Sequence, residues 1–301
     1  MGTSKSYGGP KDASGLLPAW AMGGDTGAMD QGVDVGAAND AAASERDGDD
    51  PGRAAGLGAS QAQPTTGDLK SPADRPWASA KRQLGKAVQA GGTREAFRDA
   101  GHAYVRARGG SARASSGASA GRRASAALGG FLSGVATQGV RPALERLGLA
   151  TLAGRDVREV FAAIANAIAP GGASLEEAVA RRATAEVLQE LYERYAVETN
   201  GIAKLDAMGI DDVRQALRSS IASYVYHRWL EELGAKIEEK SVSASQAERF
   251  ERDMKAYVRD VVRLDLGKVD VLAIDWAGNA GARLMEELFA QAYAVLDGSS
   301  I

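Results

Sequence analysis

Apolar residues recur at helical spacing only from about residue 75 onward. Trp77, Leu84 and Val88 fall near one helical face, and Thr93 can cap a second helix that buries Phe97, Tyr104 and Val105. Leu128, Phe131, Leu132 and Val135 form a further stripe. Pro142 suits the first position of a helix continuing through Leu144 and Leu147. Asp156 precedes Val157, Val160, Phe161, Ile164 and Ile168, and Pro170-Gly-Gly stops that run. Ser174-Leu-Glu-Glu177 is a capping box opening a long helix through Val179, Val187, Leu188, Leu191 and Tyr195, with Asn200-Gly201 as its end. Asp211 or Asp212 starts the next, carrying Val213, Leu217, Ile221, Tyr224, Val225 and Leu233. Ser245-Gln-Ala-Glu248 reads as a second capping box before Phe250, Met254, Tyr257, Val258 and Val261, and Leu284, Leu288 and Val295 mark the last helix. Lys268–Trp276 alternates weakly, but a lone strand has nothing to pair with, so helix or irregular chain is expected.

The first 74 residues show no such period. Residues 1–20 run from Met1-Gly-Thr-Ser-Lys-Ser-Tyr-Gly-Gly-Pro10 to a small apolar cluster, Leu16-Leu-Pro-Ala-Trp20. Residues 21–74 carry Asp25, Asp30, Asp34, Asp40, Glu45, Asp47, Asp49 and Asp50 among Gly, Ala and Ser, against Arg46, Arg53 and Lys70. Such composition cannot bury enough apolar surface to fold alone, so a disordered acidic tether is expected. A coil of roughly 50 residues spans about 40 Å, which would let the first twenty reach a partner well away from the body. The predicted fold class is all-α: a helical body preceded by a long disordered N-terminal tail. Its expected parts are an N-terminal recognition peptide (1–20), the tether (21–74), a basic helical and loop segment (75–123) and an all-α body (124–301).

Composition narrows the chemistry. The 301 residues contain no Cys, so neither a disulfide framework nor a thiolate metal site is expected, and a reducing, cytoplasmic setting fits. There is no apolar run long enough for a membrane span and no signal-peptide pattern. The net charge of −3 argues against a general nucleic-acid binder, but its distribution is dipolar. Arg75 to Arg123 is strongly basic, and Arg108-Gly-Gly-Ser through Gly121-Arg-Arg123 reads as a mobile basic loop. That loop is either a solvated charged face or a contact to an anionic partner, nucleic acid or the chain's own tether.

Catalytic patterns are thin. His102 and His227 stand far apart, and no zinc-binding His-Glu-x-x-His exists. His227, within Tyr224-Val-Tyr-His-Arg-Trp229, reads as a packed helix residue. Gly117-Ala-Ser-Ala-Gly121 matches the nucleophile-elbow pattern, but no strand precedes it to strain the Ser onto a sharp turn. A non-enzymatic protein without cofactor or metal is expected. Gly2 is the exception to this quiet chemistry. It is small enough for Met1 to be removed, exposing an α-amine with a pKa of about 7.7–8, partly uncharged near neutral pH. Met1-Gly2 through Ser6 also fits an N-myristoylation pattern, though the acidic tract that follows opposes an anionic membrane.

The opening decapeptide and Leu16-Leu-Pro-Ala-Trp20, together with Leu128-Gly-Gly-Phe-Leu-Ser133, Ala143-Leu-Glu-Arg-Leu-Gly-Leu149, Ser174-Leu-Glu-Glu-Ala178 and Ala273-Ile-Asp-Trp276, resemble the QatB family of the bacterial Qat anti-phage defence system. The resemblance covers the first twenty residues and the chain from about 124 onward, and skips the tether. It implies a protein partner rather than an enzyme. Such systems pair this component with a QueC-like (QatC-type) enzyme, an ATPase and a TatD-like nuclease. The QueC-like enzyme adenylates a 7-deazaguanine carboxylate, and a protein N-terminal amine captures it as an amide. Carried to this sequence, Gly2 is the acceptor, with Thr3 and Ser4 entering the enzyme behind it. Gly8, Gly9 and Pro10 allow a narrow approach, and Leu17, Pro18 and Trp20 anchor the peptide on the partner. The alternative is a structural adaptor bridging the ATPase and nuclease without being modified; binding of nucleic acid through the basic loop is a third, weaker reading.

Overall fold

A computed structural model describes residues 74–152 and 154–298. The recognition peptide and the tether, apart from Asp74, lie outside these residues. Among the described residues every regular element is helical, as the hydrophobic period predicts.

The fold is arranged around its longest helix, α9 (Ile210–Lys240), about 46 Å from end to end. Residues 219–227 of α9 are buried without a break. A helix covered on all sides must be apolar or small on all sides. Here Ile221, Tyr224, Val225, Tyr226 and Trp229 supply bulk, while Ser219, Ser220, Ala222 and Ser223 let neighbours approach. The neighbours are α1 (Asp74–Gln89), α4 (Ser119–Gln138), α7 (Leu175–Arg194), α10 (Ala244–Val261) and α11 (Asn279–Leu296). The Ser125 and Ser220 hydroxyls are joined at 2.8 Å in the α4–α9 seam.

α1 and α2 (Arg94–Ala107) form a hairpin through Gly91 and Gly92, both at positive φ. The Thr93 hydroxyl accepts from the Ala96 amide and starts α2 as expected. Tyr104 of α2 stacks on Trp229 of α9, ring centres 5.4 Å apart, which ties the hairpin into the common core. The expected boundary at residue 124 falls inside α4. α5 (Val140–Arg146) and a short 3-10 turn at Ala150–Leu152 lead to α6 (Val157–Ile168), capped by Asp156, whose carboxylate accepts from the Arg158 amide at 2.9 Å. Ser174 and Glu177 form the expected capping box of α7.

The structure corrects several local expectations. The Gly/Ser/Arg run after Arg108 is not a loop: it forms α3 (Ser111–Ser116) and the first turn of α4. Ala114, Ala118 and Ala120 are buried there, and α3 packs on α11. Small residues that read as turn formers are the ones a close helix contact requires. The long helix does not run to Asn200: it stops at Arg194, and Ala196, at φ 47°, precedes a separate turn, α8 (Val197–Asn200). α9 opens one residue before Asp211, with the Asp212 carboxylate accepting from the Gly209 amide. Pro142 occupies the third position of α5 rather than the first, still in the turn whose amides have no helical acceptor. α10 is capped by Ser243, which accepts from the Gln246 amide, and not by Ser245. Lys268–Trp276 is irregular, in line with the absence of a pairing partner.

Candidate functional site

The residues expected to contact a partner enzyme, Gly2, Thr3, Ser4, Gly8, Gly9, Pro10, Leu17, Pro18 and Trp20, all lie outside the described residues. What the described body contributes is three constellations: a packing joint and two enclosed polar clusters.

The joint brings two distant segments together. Trp276, in the irregular stretch before α11, sits against Gly129 and Gly130 of α4. Its indole Nε1 donates to the Ser133 hydroxyl at 2.9 Å and to the Val271 carbonyl at 3.0 Å, while Ser133 donates to that same carbonyl. Gly281 passes so close to the Trp276 backbone that a side chain there has no room. Leu128–Ser133 and Ala273–Trp276 therefore form one unit, and Gly134 makes room beside it for the Arg146 guanidinium of α5.

The first polar cluster centres on Glu186 of α7, only 8% exposed. His227 Nε2 donates to one carboxylate oxygen at 2.9 Å, and Lys255 Nζ reaches the same oxygen at 2.9 Å. Arg259 of α10 pairs with the other oxygen and with Glu190. Burial would push the Glu186 carboxyl up, but the hydrogen bond from His227 and the ammonium of Lys255 more than reverse this and hold it at about 2. Because an ionised carboxylate only accepts, Nε2 carries the proton, and Nδ1 is buried without a partner among the described residues. His227 is thus the packed helix residue its neighbours in sequence suggest.

The second cluster lies where α2, α9 and α11 meet. Glu232 receives Arg108 at 2.5 Å and Arg228 at 3.1 Å, with all three side chains at least 85% shielded from solvent. Tyr104, Tyr224 and Tyr293 are buried around these charges, and burial pushes all three phenols up, Tyr293 to about 12. All three therefore remain protonated at neutral pH. Two arginines and one carboxylate among neutral phenols make a fixed dipolar network, with no activated nucleophile in it.

The other sequence candidates separate. His102 faces Asp297 at 3.5 Å, whereas His227 faces Glu186. Ser119, the centre of the elbow pattern, donates to Glu176 Oε1 at 3.2 Å, and the Ala120 amide donates to the same oxygen at 2.6 Å. Glu176 of α7 thus caps α4 from outside. Gly121 is a packing residue, since a Cβ there would lie 2.6 Å from the Tyr224 ring. Within the expected basic loop, Arg108 is consumed by Glu232 and Arg122 faces Glu286 at 3.8 Å. The concentrated positive surface lies elsewhere, in a groove of about 440 Å³ between α1 and the last turns of α9. Its cations are Lys81, Arg82, Lys86, Lys236 and Lys240. In the sequence the groove shows as the basic character of the segment from Arg75 and as the i, i+4 spacing of Lys236 and Lys240. Among the described residues there is no group of acidic or histidine side chains placed to hold a metal ion, and no helix long and apolar enough to cross a membrane.

These features define a class first: an all-α helical body, closed around one buried helix, with two enclosed clusters of paired charge. Residues 109–296 match the family described as Qat anti-phage system associated protein QatB, and the chain belongs to that family. The matched span contains both sides of the Trp276 joint and all four body motifs read from the sequence. Searches of curated proteins and of solved structures find no match. The protein is therefore a component of an anti-phage defence system.

Proposed function

We propose that the protein serves this defence system as the substrate of its QueC-like partner, with Gly2 as acceptor after removal of Met1. The α-amine attacks the carbonyl carbon of the adenylated 7-deazaguanine carboxylate. A C–N amide bond forms, the C–O bond to AMP breaks, AMP leaves, and the ammonium proton goes to solvent. Thr3 and Ser4 follow into the enzyme, Gly8, Gly9 and Pro10 keep the approach narrow, and Leu17, Pro18 and Trp20 hold the peptide on the partner's surface. The observation that carries this reading is family membership joined to a Met-Gly start followed by small polar residues.

A second reading is favoured by the family match lying wholly within residues 109–296. In it, the helical body bridges the system's ATPase and TatD-like nuclease as an adaptor, unmodified. Intact mass of the protein co-expressed with its QueC-like neighbour separates the two. A Met-less chain heavier by a deazaguanine amide supports conjugation. Gly2→Leu blocks Met removal and holds the amine one residue, roughly 3.5 Å, from its place, and misplacement of about 1 Å can cost a hundredfold in rate. Full phage protection by an unmodified Gly2→Leu chain retaining Met1 would leave the adaptor as the better account.

A further inference from the structure

We infer that the basic groove between α1 and α9 is the docking site for the chain's own acidic segment, Asp34–Asp50. Three observations carry this. The first is unspent charge. Lys81, Arg82 and Lys86 form no ion pair with a described residue, and of the five cations only Lys236 and Lys240 meet a carboxylate, both through Glu239. This sets Lys81, Arg82 and Lys86 apart from Arg108, Arg228 and Arg259, each of which contacts a carboxylate. Its floor is kept low by Gly85, which faces the aliphatic stems of Lys236 and Lys240.

The second observation is complementarity. Between Asp34 and Asp50 stand six carboxylates (Asp34, Asp40, Glu45, Asp47, Asp49 and Asp50) against a single basic residue, Arg46. The third is connectivity. The segment enters the body through Asp74, the first residue of α1, and Lys86 lies only about 18 Å along that helix. The 23 residues between Asp50 and Asp74 can span up to about 80 Å. The reach is ample and the tether short, so the segment acts at an effective concentration in the millimolar range. A set of weak exposed ion pairs is then sufficient to keep the groove occupied at low salt, though each pair contributes little alone. Docking would shorten the free arm that carries Gly2, and it holds or fails independently of what happens to Gly2.

The test uses the full chain. Lysine acetylation is followed by mass spectrometry at Lys81, Lys86, Lys236 and Lys240, with exposed Lys268 as reference, and zero-length carbodiimide crosslinks are mapped in parallel. A variant carries Asp→Asn and Glu→Gln at the six acidic positions, all outside the described helices, and circular dichroism verifies its fold. At low salt the groove lysines should react at least about fivefold more slowly in the wild type than in the variant. The difference should vanish near 1 M salt, where the Debye length is about 3 Å. Crosslinks should join 34–50 to the groove within one chain. Equal acetylation rates in the two proteins would overturn the inference, as would crosslinks found only between chains in an isotopically mixed sample. Protection of the groove by a DNA duplex to the same degree in both proteins would show an open polyanion site and would also overturn it.

Discussion

The ring of Trp276 fills the space that a side chain at Gly129 would need: a Cβ there would lie 2.8 Å from two ring carbons. The ring cannot retreat easily, because Ser133 and Val271 hold its Nε1 and Gly281 backs its main chain. Gly129→Ala therefore sets a helix-propensity gain of about 1 kcal/mol against an overpacking cost of about 1–3 kcal/mol, for an expected net loss of about 1–2 kcal/mol. Gly85→Ala is the control: its Cβ would meet Lys240 at an ordinary 3.5 Å, so the propensity gain should survive. Urea denaturation of both variants checks the pair. Stabilisation by Gly129→Ala would show that the joint is looser than described.

The Glu186 cluster makes stability depend on acid. A carboxyl held at about 2 when folded against 4.5 when free contributes fully above pH 4.5 and loses its contribution as pH falls towards 2. The full effect is on the order of 3 kcal/mol. Wild type should therefore lose more stability between pH 5 and pH 2 than Glu186→Gln, while at pH 7 the variant is the weaker protein because Lys255 and Arg259 lose their anion. Parallel curves for the two across that window would remove Glu186 as the source.

Glu232 accepts from two shielded guanidiniums at once. Glu232→Ala leaves Arg108 and Arg228 without their carboxylate, and breaking a buried pair this way costs about 3–5 kcal/mol. Adding Arg108→Met should recover part of the loss. Chemical denaturation measures both, and a cost below about 1 kcal/mol would place this cluster with surface ion pairs.

The hydrophobic core of the described residues is built from side chains between Ala80 and Leu296. Deleting residues 2–20 is expected to leave the melting temperature of the body within about 2 °C of wild type, less than the shift for 1 kcal/mol in a body of this size, and to abolish phage protection. A large drop in melting temperature would show that this peptide packs into the fold.

The sequence exposes what is local and conceals what is distant. Thr93, Asp156 and Ser174 each cap a helix by bonding an amide two or three residues ahead, so a short window contains the whole interaction. The step from Arg108 to Arg123 is different. Gly, Ser and Ala there read as a loop by propensity, and only the presence of α11 and Tyr224 across the seam makes small residues the right ones for helix packing. Ala196 breaks a helix that hydrophobic period alone would continue to Asn200. The two polar clusters are equally hidden: Glu186 and His227 are 41 residues apart, and Arg108 and Glu232 are 124 apart. Without the fold, each is one more charged residue on a helix. The basic groove has the same origin, because α1 and the end of α9 share no sequence neighbourhood.

The last turn of α11 seats on the first helical hairpin: a Cβ on Gly101 would lie 2.8 Å from Leu296 Cδ1. In the order of synthesis these two residues are nearly opposite ends of the described body. At about 5–20 residues per second, the roughly 195 residues between them take about 10–40 s to emerge. For that interval the hairpin has left the ribosome with part of its apolar face uncovered, and nothing made earlier can substitute for α11. Nascent chains should therefore engage holdase chaperones through the α1–α2 hairpin. A message truncated before Leu296 should produce a protease substrate in place of a shorter working protein.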